Sequence, residues 1–337
     1  MRRFEKILVP TDFSKYAEKA YPVAQKIASL FGGKIDFIHV VPLMKYMHES
    51  IKKVGVPLDL DNDIYPQIMS ETEHRLKQAL QTNIADENRG QGIVKIYRKP
   101  AELIGKFAAD NGYDMIVVGA RGEDESPLFR GSTTEKVIRS STVPVFSVDD
   151  GFNAESIEHI LMPTDSSVLS LTPFPLAVEL ADFFGAEINI FHVLELYGTI
   201  SENIPRSSMR DELLSIYDGI INNLIEYLES AKTGHITIER TDSNFKDIAV
   251  FKKNGEETRI PITTKIVKGV SAHYEIENEA EEDADLVIMA THGHSGFAHL
   301  ILGSTAEKVA QYVRKPMITL RPPKMKLEKY GLAEKKK

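Results

Sequence analysis

Two short stretches of this chain have the residue types to hold a phosphate group. Gly131-Ser132-Thr133-Thr134-Glu135-Lys136-Val137 and Gly303-Ser304-Thr305-Ala306-Glu307-Lys308-Val309 are nearly the same seven residues. Each sets a glycine and hydroxyl side chains at the start of a helical pattern. A helix N-terminus presents unpaired amides and the positive end of its dipole, which suit phosphate oxygens. Glycine lets backbone and ligand approach closely, and Ser304 and Thr305 add donors. The alternative is structural: Ser304 caps the helix and Glu307, three residues on, completes a capping box. A second pair of stretches is Pro10-Thr11-Asp12 and Pro163-Thr164-Asp165, each at the end of an apolar run. An acid there can accept from a ribose hydroxyl or an adenine amine, or it can close a turn or cap a helix. One side chain can do both. Neither loop before Gly131 or Gly303 carries the lysine of a GxxxxGK[ST] loop, which disfavours a P-loop nucleotide hydrolase.

The elements that position these residues come in two copies. Ile7-Leu8-Val9-Pro10-Thr11-Asp12 returns as Ile160-Leu161-Met162-Pro163-Thr164-Asp165. Phe37-Ile38-His39-Val40 returns as Ile190-Phe191-His192-Val193, and Met115 to Gly119 returns as Leu286 to Ala290. Matches in the same order mean a duplicated unit. Asp12 to His39 and Asp165 to His192 both span 27 residues, but His39 to Gly119 spans 80 and His192 to Ala290 spans 98. The second unit therefore holds 18 extra residues. Gly119 to Gly131 spans 12 residues and Ala290 to Gly303 spans 13, so the first loop is one residue short.

Each unit alternates apolar runs with helical patterns, which predicts βαβ units around a parallel sheet. In the first unit this places strands near 4–9, 34–40, 93–98, 114–119 and 144–148, with helices near 14–30, 63–88, 100–111 and 132–141. In the second, strands fall near 157–162, 187–193, 262–267, 285–290 and 316–320. Lys253-Asn254-Gly255-Glu256 between two strand-like runs predicts a β-hairpin within 240–262, feeding the third strand. The expected organisation is a first domain over 1–150, a second over 151–321 and a lysine-rich tail over 322–337.

Bulk composition narrows the classes. Of 337 residues, 42% are hydrophobic and 27% charged, as in a soluble globular chain. A net charge of −8 gives no electrostatic case for a nucleic-acid or membrane binder. With no cysteine, thiol catalysis and cysteine-ligated metals are excluded. No run reaches the length of a membrane span or signal peptide, so the expected location is cytoplasmic. His39 and His192, at strand ends, read as buried and hydrogen-bonded. His292, His294 and His299 cluster in the second loop, but no carboxylate has ligand spacing with them, and no metal site is expected.

At these residues the chain resembles the universal stress protein family, in tandem form. That family's signature is G-x2-G-x9-G-[ST] after the fourth strand, with an Asp after the first. Gly293, nine residues, then Gly303-Ser304 match its spacing, while Ala290 stands where the first glycine would be. The resemblance covers roughly 3–150 and 156–321 and implies an α/β fold: two doubly wound domains, each with a five-stranded parallel sheet of order 3-2-1-4-5, like the adenine-nucleotide α-hydrolases. It implies ATP, accompanied by Mg2+, with the adenine near Pro163, Thr164, Asp165 and Val193. The phosphates would lie over His292, Gly293, Gly303, Ser304 and Thr305, with Met289 and Ala290 as the floor. Weaker or vestigial counterparts in the first unit are Thr11, Asp12, Val40, Gly119, Gly122, Gly131, Ser132 and Thr133. There the loop is short and carries Glu123-Asp124-Glu125, which repel a triphosphate. A glycine that follows strand three in the family is Gly269 in the second unit, with Arg98 read as its counterpart in the first. The resemblance also implies a pseudo-dimer through the fifth strands, Val143–Val148 and Pro316–Leu320, and is compatible with pairing of two chains. No evident nucleophile or catalytic base stands in the site, so the expected function is nucleotide-gated signalling to an unidentified protein partner in a stress response. An ATP-independent scaffold and a slow ATPase are the alternatives.

Overall fold

The computed structural model describes residues 4–43, 62, 64–120, 132–148, 157–195, 206–243, 245–292 and 303–322. Two compact units divide the chain, Met1–Asp150 and Gly151–Lys337.

The first unit has strands β1 (Lys6–Pro10), β2 (Lys34–Pro42), β3 (Arg89–Tyr97), β4 (Met115–Gly119) and β5 (Val145–Val148). They form a parallel sheet of order β3-β2-β1-β4-β5. The helices are α1 (Lys15–Glu18), α2 (Ala20–Phe31), α3 (Tyr65–Asn83), α4 (Pro100–Asp110) and α5 (Ser132–Ser140). β1, β4 and β5 are buried along almost their whole length, which is why they read as continuous apolar runs rather than alternating ones.

Two elements differ from the sequence expectation. The helix expected over 14–30 is interrupted at Lys19. Pro22 has no N–H for a bond back to Glu18, so the break puts the proline in the first turn of a new helix. The helix expected over 63–88 ends at Asn83, and β3 begins at Arg89 rather than near 93. Arg89 terminates α3 by donating to the carbonyls of Leu80, Gln81 and Ile84. Gly90 leaves room inside the sheet for the buried Asp36 carboxylate: a Cβ there would stand 2.0 Å from Asp36 Oδ1. That carboxylate accepts from the Gln91 amide and the Tyr113 hydroxyl, both at 2.7 Å.

The second unit has β6 (His159–Thr164), α6 (Phe174–Phe184), β7 (Glu187–Glu195), α7 (Arg206–Ser230), β8 (Ile236–Arg240), β9 (Lys246–Lys253), β10 (Glu256–Gly269), α8 (Ala272–Asp283), β11 (Leu286–Ala290), α9 (Ser304–Tyr312) and β12 (Met317–Leu320). Its strand order is β12-β11-β6-β7-β10-β9-β8. The first five strands of that order repeat the parallel arrangement of the first unit. β9 and β8 extend the sheet in antiparallel fashion. The predicted hairpin is β9–β10, with Asn254 and Gly255 both at positive φ (53° and 88°), as a two-residue turn requires. It is larger than expected by one strand, β8, whose pattern was too short and polar to read. Buried Asp247 anchors the extension to α7: Tyr217 donates to it at 2.7 Å, and Arg240 approaches its other oxygen at 3.2 Å.

Three tyrosines tie these cores to pH. Burial pushes the Tyr21 hydroxyl up to about 12. Burial, helped by the bond to Asp247, takes Tyr217 up to about 12. Burial and the bond to Asp36 push Tyr113 up as well. An unfolded tyrosine ionises near pH ~10. Above that, the unfolded chain sheds protons that the native one keeps, so stability falls as pH rises. The urea midpoint is expected to hold steady to about pH 9.5 and then to fall between about pH 10 and 12. A midpoint that stays level through that window would show that these hydroxyls ionise in the native state.

Candidate functional site

In both units the chain leaves its first strand in the same strained way. Phe13 and Ser166, the residues after Asp12 and Asp165, have φ of 64° and 70°. This region is unfavourable for residues other than glycine and persists only where neighbours hold it. The Thr11 hydroxyl accepts from Phe13 N (2.9 Å), and Thr164 accepts from Ser166 N (3.0 Å). Asp12 Oδ1 accepts from Ser14 N (2.9 Å), and Asp165 Oδ1 accepts from Ser167 N (3.0 Å) and the Ser167 hydroxyl (2.6 Å). Both aspartates therefore close Asx turns, while their side chains stay exposed. His39 Nδ1 lies 2.7 Å from the Thr11 carbonyl, and His192 Nδ1 lies 2.9 Å from that of Thr164. The strand-two histidines are thus clamps on this turn.

The buried threonine hydroxyl is satisfied by different partners in the two copies. Thr11 pairs with the Tyr21 hydroxyl, and Thr164 pairs with Ser170, each at 2.6 Å. In the second unit Phe174 stands at the position of Tyr21, and Ser170 at that of Ala17. The polar partner has moved along the chain, as a buried hydroxyl requires one somewhere.

At the carboxyl ends of β6, β7 and β11 the second unit opens a cavity of about 330 Å³. Pro163, Thr164, Asp165, Val193, Met289, Ala290, His292, Gly303, Ser304 and Thr305 all line it. Gly293, the remaining residue expected there, lies outside the described residues. His192, Ser170, Glu195, Ala272 and Ile276 complete much of the wall and were not foreseen as site residues. The equivalent cavity of the first unit is smaller, about 240 Å³, and includes Thr11, Asp12, Val40, Gly119 and Thr133. Gly122 and Gly131 lie outside the described residues, as does the side chain of Ser132.

The start of α9 does not follow the structural alternative for Ser304. The N-cap is Gly303, not Ser304, and no side chain caps the helix. Gly303 donates its amide to the Thr291 carbonyl (2.9 Å), which fixes the strand-to-helix step. Glu307 N then bonds to the Gly303 carbonyl (2.8 Å), so the first turn begins at Ser304. Among the described residues the Ser304 and Thr305 hydroxyls have no hydrogen-bond partner. Among the described residues no side chain therefore caps the helix end that lines the cavity.

Two glycine readings also change. Gly119 faces the backbone of α1: a Cβ there would stand 2.3 Å from the Tyr16 carbonyl oxygen. Packing against α1 therefore accounts for the glycine at this position in the first unit, while Gly119 and Ala290 each line the cavity of their own unit. The counterpart of Gly269 is Tyr97, not Arg98. Gly269 pairs with Glu195 and Tyr97 pairs with Pro42 in matching registers, and each stands three residues before its helix.

A duplicated, doubly wound α/β protein with a cavity at the carboxyl ends of its strands, where the strand order reverses, has the arrangement in which open sheets hold small ligands. The chain belongs to the universal stress protein family, whose family model matches residues 3–149 and 156–321. It is 22% identical to universal stress protein Slr1230 of Synechocystis over 331 residues, 94% of this chain and 99% of that one. Among solved structures, it resembles a universal stress protein from Archaeoglobus fulgidus with a TM-score of 0.54 at 18% identity, covering 94% of this chain and 98% of that one. A universal stress protein solved in complex with cAMP matches 43% of this chain and 95% of its own at 19% identity, with a TM-score of 0.28. Among the described residues no helix is long and apolar enough to cross a membrane.

Proposed function

We propose that the second unit binds ATP and that occupancy is the signal the protein transmits to a partner. The observation that carries this reading is the uncapped start of α9. Backbone amides and two hydroxyls that have no partner among the described residues line a cavity of about 330 Å³, with the exposed Asp165 also on its wall. Phosphate oxygens suit the α9 end, and Asp165 and Val193 suit the base. Ser304, Thr305 and Asp165 are oxygen donors of the kind Mg2+ takes. No group of three or more His, Asp or Glu able to hold a metal stands among the described residues. The first cavity is smaller, and the sequence of that unit carries Glu123-Asp124-Glu125 between Gly119 and Gly131, so it is read as weakened for nucleotide.

Titration calorimetry with ATP and Mg2+ tests this. The expected stoichiometry is one ATP per chain, with a rise in melting temperature that grows with ATP concentration, since a ligand of the native state must stabilise it. Two equal sites would overturn the asymmetry between the units. No binding and no shift would leave the ATP-independent scaffold as the reading.

A further inference from the structure

Two helix starts, those of α8 and α9, face the second-unit cavity, and they are treated in opposite ways. The start of α9 has no side-chain cap among the described residues. The start of α8 is closed by an acid: Glu195 Oε1 accepts from the Ala272 amide at 2.7 Å, and both residues line the cavity. The first unit has no counterpart to this contact. Pro42 stands at the position of Glu195, and Pro100, which has no N–H, stands at that of Ala272.

The cavity is therefore polarised, with donors at the α9 end and a half-buried carboxylate at the α8 end. Ionised oxygens are attracted to the first and repelled by the second. A carboxylate instead accepts bonds from a neutral donor, and a sugar hydroxyl pair is one it takes readily.

We propose that Glu195 is a specificity-determining residue. It selects nucleotides that carry phosphate on the 5′ side only, with free ribose hydroxyls, and rejects those with a second phosphate on the ribose. The inference rests on the nucleotide reading of this cavity. AMP and adenosine 3′,5′-bisphosphate differ by that one group and are the probes. By calorimetry on the full chain, AMP is expected to bind at least ~30-fold more tightly than the bisphosphate, as like-charge juxtaposition demands.

Glu195→Gln keeps an oxygen acceptor for Ala272 N and removes the charge. It is expected to narrow the preference to within ~3-fold, both by weakening AMP and by admitting the bisphosphate. A wild-type protein that binds both equally overturns the proposal without the variant. A preference that Glu195→Gln leaves unchanged also overturns it, while the nucleotide reading stands. Failure of the wild type to bind ATP or AMP overturns both.

Discussion

Gly303→Val is expected to abolish ATP binding and to leave the fold in place. Gly303 sits at φ −57° and ψ 142°, a conformation valine adopts readily. Among the described residues the nearest atom to an added Cβ is the Thr291 carbonyl oxygen at 3.4 Å, an ordinary contact. The Gly303 amide keeps its bond to Thr291, and its carbonyl still accepts from Glu307 N. The cost to stability is that of exchanging glycine for a β-branched residue at an N-cap, about 1 kcal/mol. The cost to binding is expected to be larger. Gly303 lines the cavity immediately before Ser304 and Thr305, and a branched side chain there is expected to crowd an oxygen that approaches their amides. A loss of at least ~100-fold in affinity, about 2.8 kcal/mol, is expected. Calorimetry with ATP, beside a thermal melt in the absence of ligand, separates the two effects. Unchanged affinity would remove Gly303 from the phosphate cradle.

Gly119→Ala is expected to do the reverse, destabilising the first unit while ATP binding in the second persists. Its Cβ would lie 2.3 Å from the Tyr16 carbonyl oxygen and 3.0 Å from the Ala17 Cα. Both belong to the backbone of α1, which Ser14 caps (3.1 Å to the Ala17 amide) and whose neighbours Thr11 and Asp12 hold the strained turn. No side chain can rotate aside, so the helix or β4 must shift, at a cost of about 2–3 kcal/mol. The Thr134 hydroxyl bond to the Gly119 carbonyl, 2.8 Å long, ties the start of α5 to the same point. Ala290→Gly is the matched control: its site already accepts a methyl group, so a change of about 1 kcal/mol is expected. Urea unfolding of both variants, with ATP calorimetry on each, makes the comparison. Equal stability losses would show that the Gly119 and Ala290 environments are equivalent after all.

Much of this protein was legible from local pattern. The duplication, the buried strand runs, the Asn254-Gly255 turn and the two polar steps that meet at the cavity all follow from short-range signals. Apolar runs mark strands covered on both faces, and glycine and asparagine mark backbone with positive φ. Elements whose role lies across the sheet were read less well. The start of β3 was hidden because Gly90 serves Asp36, 54 positions earlier in the chain. Strand β8 is short and polar because one face meets solvent, so it lacked the apolar run that marks the others.

The sequence by itself determined that one α/β unit occurs twice, which family that unit belongs to, and that the two loops before Gly131 and Gly303 differ in length and charge. Only the tertiary structure decided what each residue type is for. Gly119 makes room for a helix, Gly303 rather than Ser304 caps α9, and Glu195 closes α8. The physical reason is distance along the chain. A turn or an apolar stripe is set by neighbours a few residues apart. A Cβ that must be absent, or an amide that needs an acceptor, is decided by atoms brought together from 77 to 103 positions away, as Glu195 is to Ala272 and Tyr16 to Gly119.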